Sequence, residues 1–270
     1  MSSTNNAVTV QETNDHSILS KHAMVEADYA HDPFLSAFTL QKAPRRAPLI
    51  NRGYYIRHKV VDTILTSFVC SHNKTPKQIV SLGAGFDTAF FRLCQQMPDL
   101  MKDVFYLEVD FPPLTERKKS LIQGSDLCKQ HLPVGVDASI GGPTSSANIK
   151  MLSENYCLLG QDMSNLKGFD AQLKQLPSLK PEASTLVLSE CVMTYMEHSD
   201  STELIKFIRT FFTNSSFITY EQIIPDDAFG QFMRAHFDKL NSSLKAISAY
   251  SDKEKQSKRY KDCGYALVRL

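Results

Sequence analysis

Four short segments place chemically useful side chains at the ends of apolar runs. "VSLGAGFDTAFFR" (80–92) holds Gly83 and Gly85 followed by Asp87 and Thr88, and "YLEVDFP" (106–112) holds Glu108 and Asp110. "LLGQDMSNL" (158–166) holds Asp162, and "TLVLSE" (185–190) ends on Glu190. A strand that runs into a glycine turn and then a helix presents backbone N–H groups to a ligand at the sheet's carboxyl edge. The dinucleotide pattern G-x-G-x-x-G/A needs a third small residue, but that position here is Thr88. Asp87 also stands where a pyrophosphate would arrive, and like charges repel strongly in a desolvated site. The loop therefore suits a cationic nucleoside without phosphate, and S-adenosylmethionine, with its ribose, ammonium and sulfonium, has that chemistry. Asp110 lies at roughly the spacing from Gly85 at which a doubly wound fold offers its ribose-binding acid, on the same strand face as Glu108. Asp162 would meet an adenine amino group, and Glu190 closes the next strand end. The alternative is that Asp87 only caps the following helix and the other acids are solvated strand ends.

Positioning these groups requires strands in register with helices between them. "KQIVSL", "VFYLEVD", "YCLLGQD", "STLVLSE" and "SFITYEQ" read as strands, while "DTAFFRLCQQM" and "STELIKFIRTFF" read as helices. Strands alternating with helices predict an α/β doubly wound, mostly parallel sheet. Residues 1–16 are polar and expected to be disordered, 17–75 to form a helical cap, and 76–270 to complete the α/β core of a single domain. "DASIGGPTSSANIK" reads as an inserted loop, and "DDAFGQFMRAHFDKL" as a helix over the sheet's carboxyl edge.

Composition narrows the function. A formal net charge of +1 over 270 residues does not favour a nucleic-acid binder, although Arg45, Arg46, Arg52, His58 and Lys59 make a local basic stretch. The six cysteines include no C-x-x-C pair, so no metal is expected, and their thiols are read as reduced. The N-terminus lacks a signal-peptide pattern and no apolar run approaches membrane length, so the expected location is cytoplasmic, with no membrane contact.

"NRGYYIR", "IVSLGAGFDTAFFRL", "YLEVDFP", "LSECVMTYM" and "ITYEQI", in that order, resemble the leucine carboxyl methyltransferase family from about Leu19 to the chain end. The resemblance implies a Rossmann-like S-adenosylmethionine methyltransferase that esterifies the C-terminal leucine of type-2A protein phosphatase catalytic subunits, acting as a monomer. It implies cofactor contacts from Lys21, Arg57, Gly83, Asp110, Asp162, Met163 and Glu190. Lys21 and Arg57 would hold the methionyl carboxylate, and Arg57 would also orient the acceptor carboxylate with its planar fork. Tyr195 is the candidate to line the reaction pocket beside Arg57, giving two catalytic candidates. A carboxylate, with a pKa of roughly 3.5, is already a nucleophile at neutral pH and needs no general base. A paralogous branch methylates a carboxyl on a modified tRNA base and carries a large additional C-terminal domain, which places that reading second. A cofactor-binding protein without turnover, or a nicotinamide oxidoreductase, is a third reading, the latter opposed by Asp87 and Thr88. The resemblance also implies a closing C-terminal hairpin beyond Leu270, with "GYALVRL" beginning a further strand, so a truncated sheet of low stability and weak activity is expected.

Overall fold

The computed structural model describes residues 2–39, 42–71, 76–132 and 148–266, with side chains from residue 9 onward. The apolar runs form β1 (Lys77–Leu82), β2 (Val104–Asp110), β3 (Ile149–Leu152), β4 (Tyr156–Gly160), β5 (Ser184–Glu190) and β6 (Ser215–Tyr220). They make one sheet in the order β3-β4-β2-β1-β5-β6, parallel except for β3 against β4. β2 and β4 are buried along their whole length, which is why they read as continuous apolar runs and not as alternating ones.

The helices are α1 (Ser2–Glu26), α2 (Pro48–Cys70), α3 (Ala89–Gln96), α4 (Pro98–Met101), α5 (Pro112–Gly124), α6 (Asp126–Lys129), α7 (Leu166–Leu173), α8 (His198–Phe211), α9 (Ala228–Lys239) and α10 (Lys253–Asp262). They cover both faces of the sheet. Ile79, Tyr106, Leu158 and Leu186 pack with α2 and α3 on one side. Val80, Leu107, Leu159 and Val187 pack with α7 and α8 on the other. Successive strand residues alternate between these two cores, as the pleat requires.

Two expectations meet a different structure, and a third falls largely outside the described residues. Residues 2–16 of the polar arm are helical: α1 runs unbroken from Ser2, and its polar residues bond to other elements, Thr9 Oγ1 donating to the Asn241 carbonyl at 2.6 Å and Asn14 Oδ1 accepting from Phe86 N at 2.8 Å. The end of "DASIGGPTSSANIK" is β3, an antiparallel edge strand that pairs with β4, the next strand along the chain, and residues 133–147 lie outside the described residues. The strand expected in "GYALVRL" falls largely on residues 267–270, also outside the described residues. The chain before them packs Tyr260 and Tyr265 against Phe217 of β6, at ring distances of 5.2 and 6.0 Å.

β1 pairs with β2 on one side and β5 on the other, so the strand order reverses there. The carboxyl ends at such a reversal diverge and leave a crevice for ligand.

Candidate active site

The crevice opens into a cavity of about 1330 Å³. Beyond β1 the chain turns through Gly83 and Gly85, at φ +64° and +48°, a left-handed backbone that favours glycine. A Cβ at Gly83 would lie 2.4 Å from Val192 Cγ2, and one at Gly85 would lie 2.5 Å from Asn14 Oδ1. The glycine turn is thus wedged between the loop after β5 and helix α1.

Asp110, at the end of β2, accepts hydrogen bonds from Gly85 N and Phe111 N, each at 2.7 Å. Burial raises its carboxyl pKa while these two N–H groups favour the anion. A carboxylate has about four acceptor sites, so two oxygens remain able to receive a pair of hydroxyls. Glu108 does not share this rim: it is buried under α5, where Lys118 Nζ lies 2.6 Å away and the Tyr156 hydroxyl donates at 2.9 Å.

Glu190, at the end of β5, gathers the cations. Arg57 Nε donates to its Oε1, and Lys21 Nζ stands 3.4 Å from the same carboxylate and 3.9 Å from Asp87 Oδ2. Burial opposes charge on Glu190, but Arg57 and Lys21 outweigh it and hold the carboxyl below its usual range. Burial likewise disfavours the Arg57 guanidinium, and Cys191 and Glu190 more than offset this. Asp87 behaves similarly: Lys21, Arg92 and Lys118 overcome its burial and keep it ionised. It also accepts from Ala89 N at 2.9 Å, so the capping and the charged roles coexist. Thr88 turns inward, its hydroxyl on Asp32 at 2.5 Å, and does not offer the close approach a third glycine would.

The remaining candidates line the same cavity. Asp162 is exposed after β4, with Oδ1 accepting from the Ser164 N–H at 2.9 Å, while Met163 beside it is buried. Tyr195 sits in the 3-10 turn Met193–Tyr195, near Thr13 and 5.8 Å from the Phe237 ring. Lys21, Arg57, Gly83, Asp110, Asp162, Met163, Glu190 and Tyr195 therefore all line one cavity, and Glu108 does not.

Other lining residues carried no readable signal. Asn14 lies in a polar segment, and Arg46 is one of several basic residues before α2. Glu221, the residue directly after β6, accepts from Val192 N at 3.2 Å, Met193 N at 3.0 Å and Thr194 N at 3.3 Å, anchoring the turn that carries Tyr195. Phe229 and Phe232 on α9, with Leu49 and Ile50 on α2, give the cavity an apolar lip, Phe232 being 70% exposed.

The sequence profile of the leucine carboxyl methyltransferase family matches residues 11–209. The chain belongs to this family. It is 33% identical over 249 residues to the leucine carboxyl methyltransferase 1 homolog of Arabidopsis thaliana, covering 92% of this chain and 71% of that one. It is 38% identical over 261 residues to the tRNA wybutosine-synthesizing protein 4 of Homo sapiens, covering 95% of this chain but 37% of that one. The chain thus spans well under half the length of its wybutosine-synthesizing relatives in Homo sapiens and Rattus norvegicus. Among solved structures, magnesium protoporphyrin IX methyltransferase from Synechocystis PCC 6803, with bound SAH, aligns at TM-score 0.47 and 12% identity over 91% of this chain and 90% of that one. Family members use S-adenosylmethionine. The site fits it: a glycine turn without room for a side chain, a rim acid with spare acceptors, and carboxylates placed for a cation and not for a phosphate.

Proposed function

We propose that this methyltransferase esterifies the C-terminal leucine carboxylate of a protein, the type-2A protein phosphatase catalytic subunit being the partner implied by its motifs. The observation that carries the reading is the apolar lip of Leu49, Ile50, Phe229 and Phe232 over a cavity floored by charged groups. Such a mouth suits an aliphatic side chain attached to a carboxylate. Asp110 would hold the ribose hydroxyls, Asp162 and Met163 the adenine, and Glu190 the cofactor's ammonium, with Lys21 and Arg57 on its carboxylate. Bound there, S-adenosylmethionine supplies an electrophilic methyl group. Gly83 lets the backbone approach it closely, and Arg57 and Tyr195 shape the space next to it. The protein's task is to align acceptor and methyl about 3 to 3.5 Å apart away from water.

The 38% identity to the human wybutosine-synthesizing protein favours a second reading, transfer to a carboxyl on a modified tRNA base. Labelled methyl transfer decides between them. A peptide ending in free leucine is expected to take label while its C-terminal amide does not. Equal labelling of the two peptides, or label only on tRNA lacking the methyl ester, would overturn the proposal.

A further inference from the structure

The cavity holds more acids than its cations neutralise. Asp87, Asp110, Asp162, Glu190, Glu197 and Asp200 line it against Lys21, Arg46, Arg57 and Lys245, so a carboxylate acceptor enters against a negative field unless a cation receives it. Lys21 and Arg57 are committed to Glu190, and Lys245 is paired with Glu197 at 2.9 Å. Among the described lysines and arginines that line the cavity, Arg46 has no carboxylate partner. Its Nε is buried and without a hydrogen-bond partner. A buried guanidinium N–H left unsatisfied costs free energy that a ligand's oxygens would recover. Arg46 lies immediately before α2, and Leu49 and Ile50 of the apolar lip follow it in the same cavity wall.

We infer that Arg46 is the acceptor-binding cation, receiving the carboxylate of the leucine tail while Arg57 and Lys21 remain with the cofactor's amino-acid end and Glu190. The inference rests on the proposed carboxylate acceptor. A guanidinium suits this task because it holds one carboxylate oxygen by a charge-assisted hydrogen bond and leaves the other free to attack. In the reaction that free oxygen forms the new C–O bond as the S–C bond breaks, the bonding pair stays on sulfur, and no proton moves. Carboxylate and sulfonium charges cancel into a neutral ester and a neutral thioether. Arg46 therefore interacts most strongly with the unreacted acceptor and least with the product. It contributes to acceptor binding and to release of the ester, not to the chemical step. Loss of it should raise KM and leave kcat unchanged or higher, because the interaction holds the bound acceptor at least as strongly as the transition state.

The test compares wild type, Arg46→Gln and Arg46→Lys in methyl transfer to a peptide ending in free leucine, with S-adenosylhomocysteine affinity measured by calorimetry. Arg46→Gln is expected to raise the peptide KM by roughly tenfold to a hundredfold, with kcat not lowered and S-adenosylhomocysteine affinity unchanged, and Arg46→Lys to recover part of the loss. Unchanged KM in Arg46→Gln, with the wild type active on the peptide, overturns the role of Arg46 and leaves the proposed function standing. Equal weakening of S-adenosylhomocysteine binding also overturns it, by assigning Arg46 to the cofactor. If the wild type labels only tRNA lacking the methyl ester, the proposed function fails, and the KM for that tRNA in Arg46→Gln then upholds or overturns the residue's role.

Discussion

Glu221 illustrates how one side chain ties the cofactor turn to the loop opposite. Its two oxygens take three backbone N–H groups of residues 192–194, and Val192 in that turn presses on Gly83. Burial lifts its pKa from 4.5 to about 7 despite these hydrogen bonds. Because the folded value lies above the unfolded one, its favourable contribution is complete below about 4.5 and is lost as pH rises through about 7. His58 acts in the opposite sense: burial first, then Arg92 and Lys21, lowers its pKa, so the folded state gains as pH rises through the usual histidine range. The Glu221 effect is isolated by difference. The change in melting temperature between pH 5.5 and 8.5 should be several degrees more negative for the wild type than for Glu221→Gln, and identical slopes would refute it. At Gly83, alanine would adopt a costly left-handed backbone and push Val192 aside. Gly83→Ala is expected to weaken S-adenosylhomocysteine at least tenfold by calorimetric titration. Both changes act on the same wedge, so their effects on cofactor affinity should not add.

At the scale of elements, α1 is part of the site and not an appendage. Its Asn14 caps the glycine turn through Phe86 N, and its Thr13 meets Tyr195 across the cavity. Removing the Asn14 acceptor leaves a backbone N–H beside the cavity unsatisfied, at a cost of about 1–3 kcal/mol. Asn14→Ala should therefore weaken S-adenosylhomocysteine by about tenfold while lowering the melting temperature only slightly, because the helix also holds through Ile18 and Met24 in the core. An unchanged affinity would show that α1 merely lies over the turn. α9 contributes differently. It has one buried residue, Gly230, and turns Phe229 and Phe232 outward, so its apolar face forms the lip of the cavity and not part of a core.

Across the whole molecule, the cap and the sheet are joined by a buried charged cluster. Arg92 on α3 meets Asp32 at 2.9 Å, Asp62 of α2 at 3.3 Å and Asp87 at 3.8 Å. Removing the arginine would strand carboxylates in the interior, a change that typically costs about 3–5 kcal/mol. Arg92→Met should show a loss of that size in denaturant unfolding, and a loss under about 1 kcal/mol would mean that water reaches the cluster. Among the described residues no helix is long and apolar enough to cross a membrane. The strands β1, β2, β4, β5 and β6, the doubly wound class and the rim acids were legible in the sequence because each depends on local properties: short apolar runs between helices, a glycine turn, and an acid at the carboxyl end of a strand. Lys21, Arg57 and Met163 were expected only from the family resemblance, not from local chemistry. Sequence alone did not reveal that Glu108 would be committed to Lys118, that α1 would continue to Ser2, that β3 would join the edge, or that Arg46 would remain without a partner. β3 pairs with the strand that follows it, and its short run after a polar loop gave no strand signal; the other outcomes depend on which distant group arrives beside the residue. Asn14 is polar in any isolated segment, and only the packed fold brings it to Phe86; Arg46 is one basic residue among several until Glu190 and Glu197 have taken the other cavity cations. Local sequence determined the elements and their chemical inventory, and tertiary packing decided how the charges were paired, because electrostatic partners are selected by distance in space and not by separation along the chain.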